Sequence, residues 1–267
     1  MIGWPEKLLG SVVRFCGGGT PSKSNNEYWN GHIPWVSPKD MWVDEVTSSA
    51  DMITDAAVLE SATSIIPQGS VLCVVRSGIL ARRFPVAITC RDVTINQDLK
   101  ALIPSKALHP RYLFYFMRAA ETTVLDSVTT GATVHRVSTD FLKGLKIAVP
   151  PLEEQQRIVA VLDDAFTAIA TATVNAEKNL VNARELFSGE LRELFSSSDA
   201  TWQWKAVGEV ADARLGKMLD KRKNKGVLKV YLRNINVRWF GFDFSDLLEM
   251  RFEDSEASKY TAIKGDC

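Results

Sequence analysis

The 267-residue chain is poor in residues that carry chemistry by themselves. Its four cysteines are Cys16, Cys73, Cys90 and Cys267, and no two form a CxxC pair. Its three histidines, His32, His109 and His135, do not cluster near them. This spacing argues against a zinc site, so no metal is expected, and it fits a reducing cytosol better than a disulfide framework. No run of about 18 consecutive apolar residues occurs, so no membrane span is expected. The opening MIGWPEKLLG has neither the basic start nor the apolar stretch of a signal peptide.

Catalytic patterns are missing as well. There is no Gly-rich strand–turn–helix for a nucleotide cofactor and no Asn/Asp-Pro-Pro-aromatic tetrapeptide for amino-methyl transfer. Ser37-Pro38-Lys39-Asp40 holds a fragment of a nuclease-like acidic pattern, but no acid-x-Lys pair follows to complete it. Gly17–Ser24 (GGGTPSKS) narrowly misses a phosphate-binding loop. Ser22 stands where that loop needs glycine, and Pro21 removes a backbone donor. A nuclease or methyltransferase acting alone therefore ranks last among the readings.

What is present is an ordinary globular composition, 46% hydrophobic and 24% charged, with enough residues for one large domain or two smaller ones. The net charge of zero hides an uneven distribution. Residues 1–150 hold 15 Lys+Arg against 13 Asp+Glu, residues 151–200 hold 4 against 9, and residues 201–267 hold 13 against 10. The acid is concentrated in the middle, and both flanks are mildly basic. DNA binding requires local cations, not a basic total.

Turn signals punctuate the first 150 residues: Gly17-Gly18-Gly19, Asn30-Gly31, Ser37-Pro38, Gly69-Ser70 and Ser77-Gly78. Between them, Ile33–Val36, Val71–Val75, Val86–Thr89 and Leu99–Ile103 read as strands. Helices are expected over Pro110–Ala120, with Pro110 in the first turn, and from an N-cap at Ser138. From Pro150-Pro151 to about Phe195 the pattern turns helical. Ile158, Leu162, Ala165, Ile169, Ala172 and Ala176 repeat at coiled-coil spacing, and Leu180, Ala183, Phe187, Leu191 and Leu194 continue the stripe. Some 45 residues of helix reach roughly 65 Å. Gly189 weakens its last turns by about 1 kcal/mol, which predicts a bend or fraying there. The run SSSD at 196–199 ends it. An Ala-rich seam this narrow needs a second helix, and no second long helical pattern follows.

After the helix the first module begins again. Trp4–Val12 resembles Trp204–Val210, Ile33–Val36 resembles Lys229–Leu232, and Ile66–Ser70 resembles Ile263–Asp266. The offset is about 196 to 200 residues across the anchors, which argues for duplication. The fold class is α+β: a strand-rich domain over 1–150, a coiled-coil-type spacer helix over 151–198 and a partial second α+β domain over 199–267, where weaker order is expected.

Several loops of the first module mix cations, amides and aromatics. Arg reads guanine and Asn or Gln reads adenine through paired hydrogen bonds, while Lys, Ser and Thr usually meet phosphate. On that basis Lys23, Asn25, Lys39, Arg76, Arg82, Arg83, Gln97, Thr133, His135 and Arg136 are the candidate DNA contacts. Taken singly, each is also ordinary polar loop surface, and Trp29 and Trp35 are also ordinary core aromatics. Ile158, Leu162, Ala165, Ile169, Ala172, Ala176, Leu180, Phe187 and Leu191 are the candidate partner-helix contacts.

Together GGGTPSKSNNEYWNGHIPWVSPKDM, IPQGSVLCVVRSG, INQDL, TTGATVHRVS and the junction LKIAVPPLEEQQRIVAVLD resemble the specificity (S) subunit of Type I restriction-modification systems. The resemblance covers nearly the whole chain and implies truncation within a second target-recognition domain. It implies a non-catalytic, cytoplasmic DNA-recognition subunit in which each recognition domain reads half of a split site. Spacer helices set the distance between the half-sites and dock the modification (methyltransferase) subunits. S-adenosylmethionine, ATP and Mg are then expected on the modification and restriction subunits, with no cofactor on this chain and no membrane partner. Double-stranded DNA is the main ligand, and a homodimer or a complementing second half supplies the missing geometry. The other reading is a coiled-coil interaction protein whose modules bind protein or glycan.

Overall fold

The computed structural model describes residues 3–130, 134–196, 202–220 and 222–263. The chain forms two compact units, Met1–Glu185 and Leu186–Cys267. The first opens with β1 (Glu6–Leu8), α1 (Leu9–Val12), β2 (Val13–Gly17), β3 (Trp29–Val36), β4 (Glu45–Val46), β5 (Asp51–Ile53) and α2 (Asp55–Glu60). Next come β6 (Val71–Val74), β7 (Arg76–Ser77), β8 (Val86–Thr89), β9 (Thr94–Ile95) and β10 (Leu99–Pro104). Then follow α3 (Pro110–Ala119), α4 (Glu121–Asp126), β11 (Thr129–Thr130), β12 (His135–Arg136), α5 (Thr139–Gly144), β13 (Lys146–Ala148) and α6 (Leu152–Ser196).

A five-stranded sheet ordered β2-β10-β6-β8-β4 holds the main core. The apolar runs Val71–Val74 and Val86–Thr89 are buried at every position, because both faces of these strands are covered. α3 lays Leu113, Phe114 and Met117 into the same core. Each such side chain contributes roughly 1.5–3 kcal/mol by leaving water. A second sheet, β5-β3-β9, carries a small core of Ile33, Trp35, Ile53 and Ala57.

The strands and short helices expected from turn signals are present within a residue or two, except that β3 begins at Trp29, four residues before the expected Ile33. Ser138 caps α5, its hydroxyl accepting from Asp140 N–H at 3.2 Å. Pro151 precedes α6 instead of entering it, and its carbonyl accepts from Glu154 and Gln155 N–H. The helix runs unbroken through Gly189 to Ser196, where a bend or fraying was expected. One glycine costs too little to stop a helix of 45 residues.

The second unit contains α7 (Val207–Val210), β14 (Val227–Tyr231), β15 (Val237–Arg238), β16 (Gly241–Phe242), β17 (Leu248–Phe252) and α8 (Ala257–Tyr260). Its β14–β17 hairpin repeats the β3–β5 hairpin in detail. Ile33 pairs with Ile53, Pro34 with Met52 and Trp35 with Asp51. Lys229 pairs with Met250, Val230 with Glu249 and Tyr231 with Leu248. A 3-10 turn follows the first strand in both, Pro38–Asp40 and Asn234–Asn236. The Asp40 carboxylate accepts from Ser37 N–H, and the Asn236 amide oxygen accepts from Arg233 N–H, both at 2.9 Å. Ten residues further on, Ala50 N–H donates to Asp40 at 2.9 Å, and Asn236 Nδ2 donates to the Asp246 carbonyl at 3.0 Å. Left-handed residues, Asn30 (φ 61°) and Gly226 (φ 98°), mark matching points of the two hairpins. Of the three duplication anchors seen in sequence, two thus have structural counterparts: the strand anchor, and the first anchor, whose copies end in the four-residue helices α1 and α7. Lys264–Asp266 lies outside the described residues.

Candidate nucleic-acid interface

Sheet register gathers the predicted loops at one end of the first module. Gly17 faces Lys100, Leu99 faces Val74, Cys73 faces Val86 and Glu45 faces Ile88. The same edge therefore holds the exit of β2, the entry of β10, the exit of β6 and the entries of β8 and β4. Onto it fall the loops carrying Lys23, Gln97, Arg76, Arg82 and Arg83. β3 runs parallel to β9, with Val36 opposite Ile95, so Lys39 follows β3 at this end too.

A polar network stitches the edge together. Thr20 Oγ1 donates to Gln97 Oε1 at 2.5 Å. Buried Asn96 holds the next turn by accepting from Asp98 N–H at 3.0 Å. The Asp98 carbonyl accepts from both Val75 and Arg76 N–H, and its carboxylate lies 3.3 Å from Arg76 Nε. A three-stranded ribbon, β11-β12-β7, then places Arg136 opposite Arg76 and His135 opposite Ser77. The glycine run lies against this turn so closely that a Cβ on Gly18 would stand 2.0 Å from the Ile95 carbonyl oxygen. That close approach, not a phosphate cradle, accounts for glycine there. The indoles of Trp35 and Trp29 anchor the same loop by donating to the Gly19 and Ser22 carbonyls at 2.9 and 3.1 Å.

The ten candidates are not equivalent. Lys23, Arg82 and Arg136 are exposed, and among the described residues no carboxylate lies within ion-pair distance of them. Arg76 and Lys39 are exposed but shared with Asp98 and Asp51, the latter pair at 2.7 Å. The Asp51 hydrogen bond also raises the Lys39 pKa. Asn25 does structural work: its amide oxygen accepts from Glu27 N–H at 3.1 Å and caps a 3-10 turn. It is thus a weaker candidate for base contact. Thr133 lies outside the described residues. Sequence inspection missed Trp42, which is 64% exposed and carries the Arg83 guanidinium 5.0 Å above its ring centre. Its only signal was a tryptophan just after the Ser-Pro-Lys-Asp turn. Among the described residues, no group of three His, Cys, Asp or Glu side chains is placed to hold a metal ion.

Also missed was the base of α6. Gln155 is fully buried there, and its amide makes three bonds: it accepts from His109 N–H at 2.7 Å and donates to the Ala107 and Pro150 carbonyls at 2.9 and 2.8 Å. Two turns on, Asp163 accepts from Arg111 Nε at 2.8 Å and from the Tyr115 hydroxyl. Arg111 also reaches Glu45 at 2.5 Å. Burial pushes the Asp163 carboxyl up, but the bonds from Tyr115 and Arg111 and the charge of Arg111 outweigh it and hold the group below its ordinary value. Phe166 stacks on Tyr115 with ring centres 5.6 Å apart. The signal in sequence was a glutamine among the acids of the junction.

Beyond Phe166 the helix is exposed along its length, and Phe187 packs edge-on against Phe240 and Phe195 against Trp202, with ring centres 6.1 and 6.3 Å apart. Of the predicted stripe, Ala165, Ile169, Ala172, Ala176, Leu180, Phe187 and Leu191 are exposed. Ile158 and Leu162 are half-buried by the chain's own module, so they are only partly free for a partner. Exposed Val161, Val174, Val181, Leu186 and Phe195 lie off the stripe, making the apolar surface wider than a two-position seam. An 18-residue window of α6 reaches a mean hydropathy of 1.4, so this helix is long and apolar enough to cross a membrane by length and composition. The window passes on its average alone, since no run of about 18 consecutive apolar residues occurs in it.

Fold and site together define a recognition module: loops with cations and amides on one sheet end, and a long helix clamped at its base. The sequence profile of the Type I restriction modification DNA specificity domain matches residues 1–183, and the chain belongs to that family. It is 44% identical over 169 residues to the Type I restriction enzyme EcoR124I/EcoR124II specificity subunit of Escherichia coli, covering 62% of this chain and 42% of that protein. It is 34% identical over 163 residues to the MjaIX specificity subunit of Methanocaldococcus jannaschii, covering 60% and 37%. The crystal structure of the HsdS subunit from Thermoanaerobacter tengcongensis superposes with a TM-score of 0.50 at 25% identity, over 64% of this chain and 39% of that one. The chain spans less than half the length of these relatives.

Proposed function

We propose that the chain is a sequence-specific DNA-recognition subunit of a Type I restriction-modification complex, and that the loop end of its first module binds one half-site of duplex DNA. The observation that carries this is the convergence of Lys23, Lys39, Arg76, Arg82, Arg83, Gln97, His135 and Arg136 on one end of the first module. Lys23, Arg82 and Arg136 meet phosphate, while Gln97 and Arg76, oriented by Thr20 and Asp98, read base edges. The subunit is not an enzyme by itself. S-adenosylmethionine, ATP and Mg belong to the modification and restriction subunits of the assembly, and the complex works in the cytoplasm.

The exposed stripe of α6 docks a partner helix, from a modification subunit, a second copy or a complementing second half. Polar clamping of the helix base at Gln155 and Asp163 supports a spacer that leaves the module into water or protein, not into lipid. The test is duplex binding against salt, using sequences selected from a random pool. Three cations on phosphate give a slope of log affinity on log salt of about −3, and all six Lys and Arg of the loop end give about −5. A flat response transfers the site to a protein or glycan ligand and overturns the proposal.

A further inference from the structure

β3 has a neighbour on each edge, β5 on one and β9 on the other. β9 lies parallel, with Trp35 opposite Thr94 and Val36 opposite Ile95. Thr94 Oγ1 donates to the Pro34 carbonyl at 3.0 Å, and Asn96 N–H donates to the Val36 carbonyl at 2.9 Å. β14 repeats β3 in register, in the turn that follows it and in its antiparallel partner, yet among the described residues it is paired on one edge alone. The counterparts of buried Pro34 and Val36 are Val230 and Leu232, which are 57% and 39% exposed. A two-stranded hairpin is marginal in water, and an open edge is a template for another strand.

We infer that the open edge of β14 is a docking site for an extended segment from outside these 267 residues, laid parallel to β14 in the register β9 takes on β3. The occupant's chemistry follows from what β9 does. A β-branched hydroxyl residue sits opposite Tyr231 and reaches the Val230 carbonyl. An apolar β-branched residue sits opposite Leu232. The next residue must keep its N–H, which bonds the Leu232 carbonyl, so it is not proline. Main-chain bonds supply affinity and the alternating side chains supply selectivity. The chain's own Thr94–Ile95 cannot serve, because both residues are fully buried and already used by β3. A second copy has the same strand in the same use.

The probe is a peptide with the sequence of residues 91–99, joined to the end of the full chain by a flexible Gly/Ser linker to raise its effective concentration. Hydrogen exchange then reads Val227–Leu232. Slowing of exchange there by about tenfold or more over the linker-only chain is the expected result. Replacing Asn96→Pro within the tethered peptide removes the N–H and abolishes that gain, while the hairpin's own β17 pairing is unchanged. Overturning results are no added protection with the tethered peptide, equal protection with the proline version, or protection confined to the first unit. Sedimentation provides a second check. If the chain without peptide dimerises and β14 is already protected in the dimer, the occupant is a second copy and the proposal is wrong.

Discussion

The β3–β5 and β14–β17 hairpins share register, turn and capping geometry, and differ in what surrounds them. Around the first, Ile33, Trp35, Ile53 and Ala57 form a small core, and β9 closes the far edge. In the second, among the described residues, Met250 is the one buried apolar side chain and Asn236 the one buried polar one. Met250 stands at the position of Ile53, with exposures of 3% and 0%, so the centre of the hairpin survives without its surroundings. Trp239 and Phe240 are 84% and 87% exposed. Hairpin geometry is therefore set locally by turn chemistry, whereas burial is set by layers that arrive from elsewhere in the chain.

The largest effect that tests this contrast is on the two central residues. Ile53→Ala costs about 2–5 kcal/mol and lowers the unfolding transition of the first unit, as seen by urea denaturation. Met250→Ala abolishes slow exchange in β14 and β17 and leaves that transition in place. A common shift of both units would show that they are not separate cooperative blocks.

Next come the turn residues. Asn236→Asp turns two donated hydrogen bonds into oxygen–oxygen contacts with the Asp243 and Asp246 carbonyls, and costs the hairpin about 1–3 kcal/mol. The reverse change, Asp40→Asn, costs less, because one oxygen is kept: it still accepts from Ser37, and only the contact with Ala50 N–H becomes donor against donor. Paired exchange measurements on the two variants rank them. At the loop end, Arg136→Ala weakens duplex binding by about tenfold, or about 1.4 kcal/mol, and Lys23→Ala lowers the salt slope by about one without changing sequence preference.

The smallest effect is on pH. Asp163 is held below its ordinary value of 3.8. A depressed carboxyl stabilises the folded state above the ordinary value and loses that contribution as pH falls through the lowered one. The first unit therefore loosens at the helix base below about pH 4, and Asp163→Asn removes this step from an acid titration of Tyr115 fluorescence.

Much of this was legible in sequence. Apolar runs such as Val86–Thr89 and caps such as Ser138 are local signals, and they gave elements close to those observed. The gathering of Arg76, Gln97 and Arg136 was not legible, because it depends on strand order, which no local pattern encodes. Asn25 was half legible: its type suits base contact, while its bond from Glu27 N–H, two residues away, also makes it a cap. Gln155 was hidden because a glutamine among acids near a helix start looks solvated until the loop at Ala107–His109 closes over it.

The clamp at the base of α6 also sets a mechanical tolerance. From Gln155 to Glu185 the helix is a lever of about 45 Å. A tilt of about 5° at its root moves the far end by about 4 Å, more than the roughly 3.4 Å rise of one base pair. A root held by three bonds to one buried amide, and braced two turns later by Asp163, limits that error at its source.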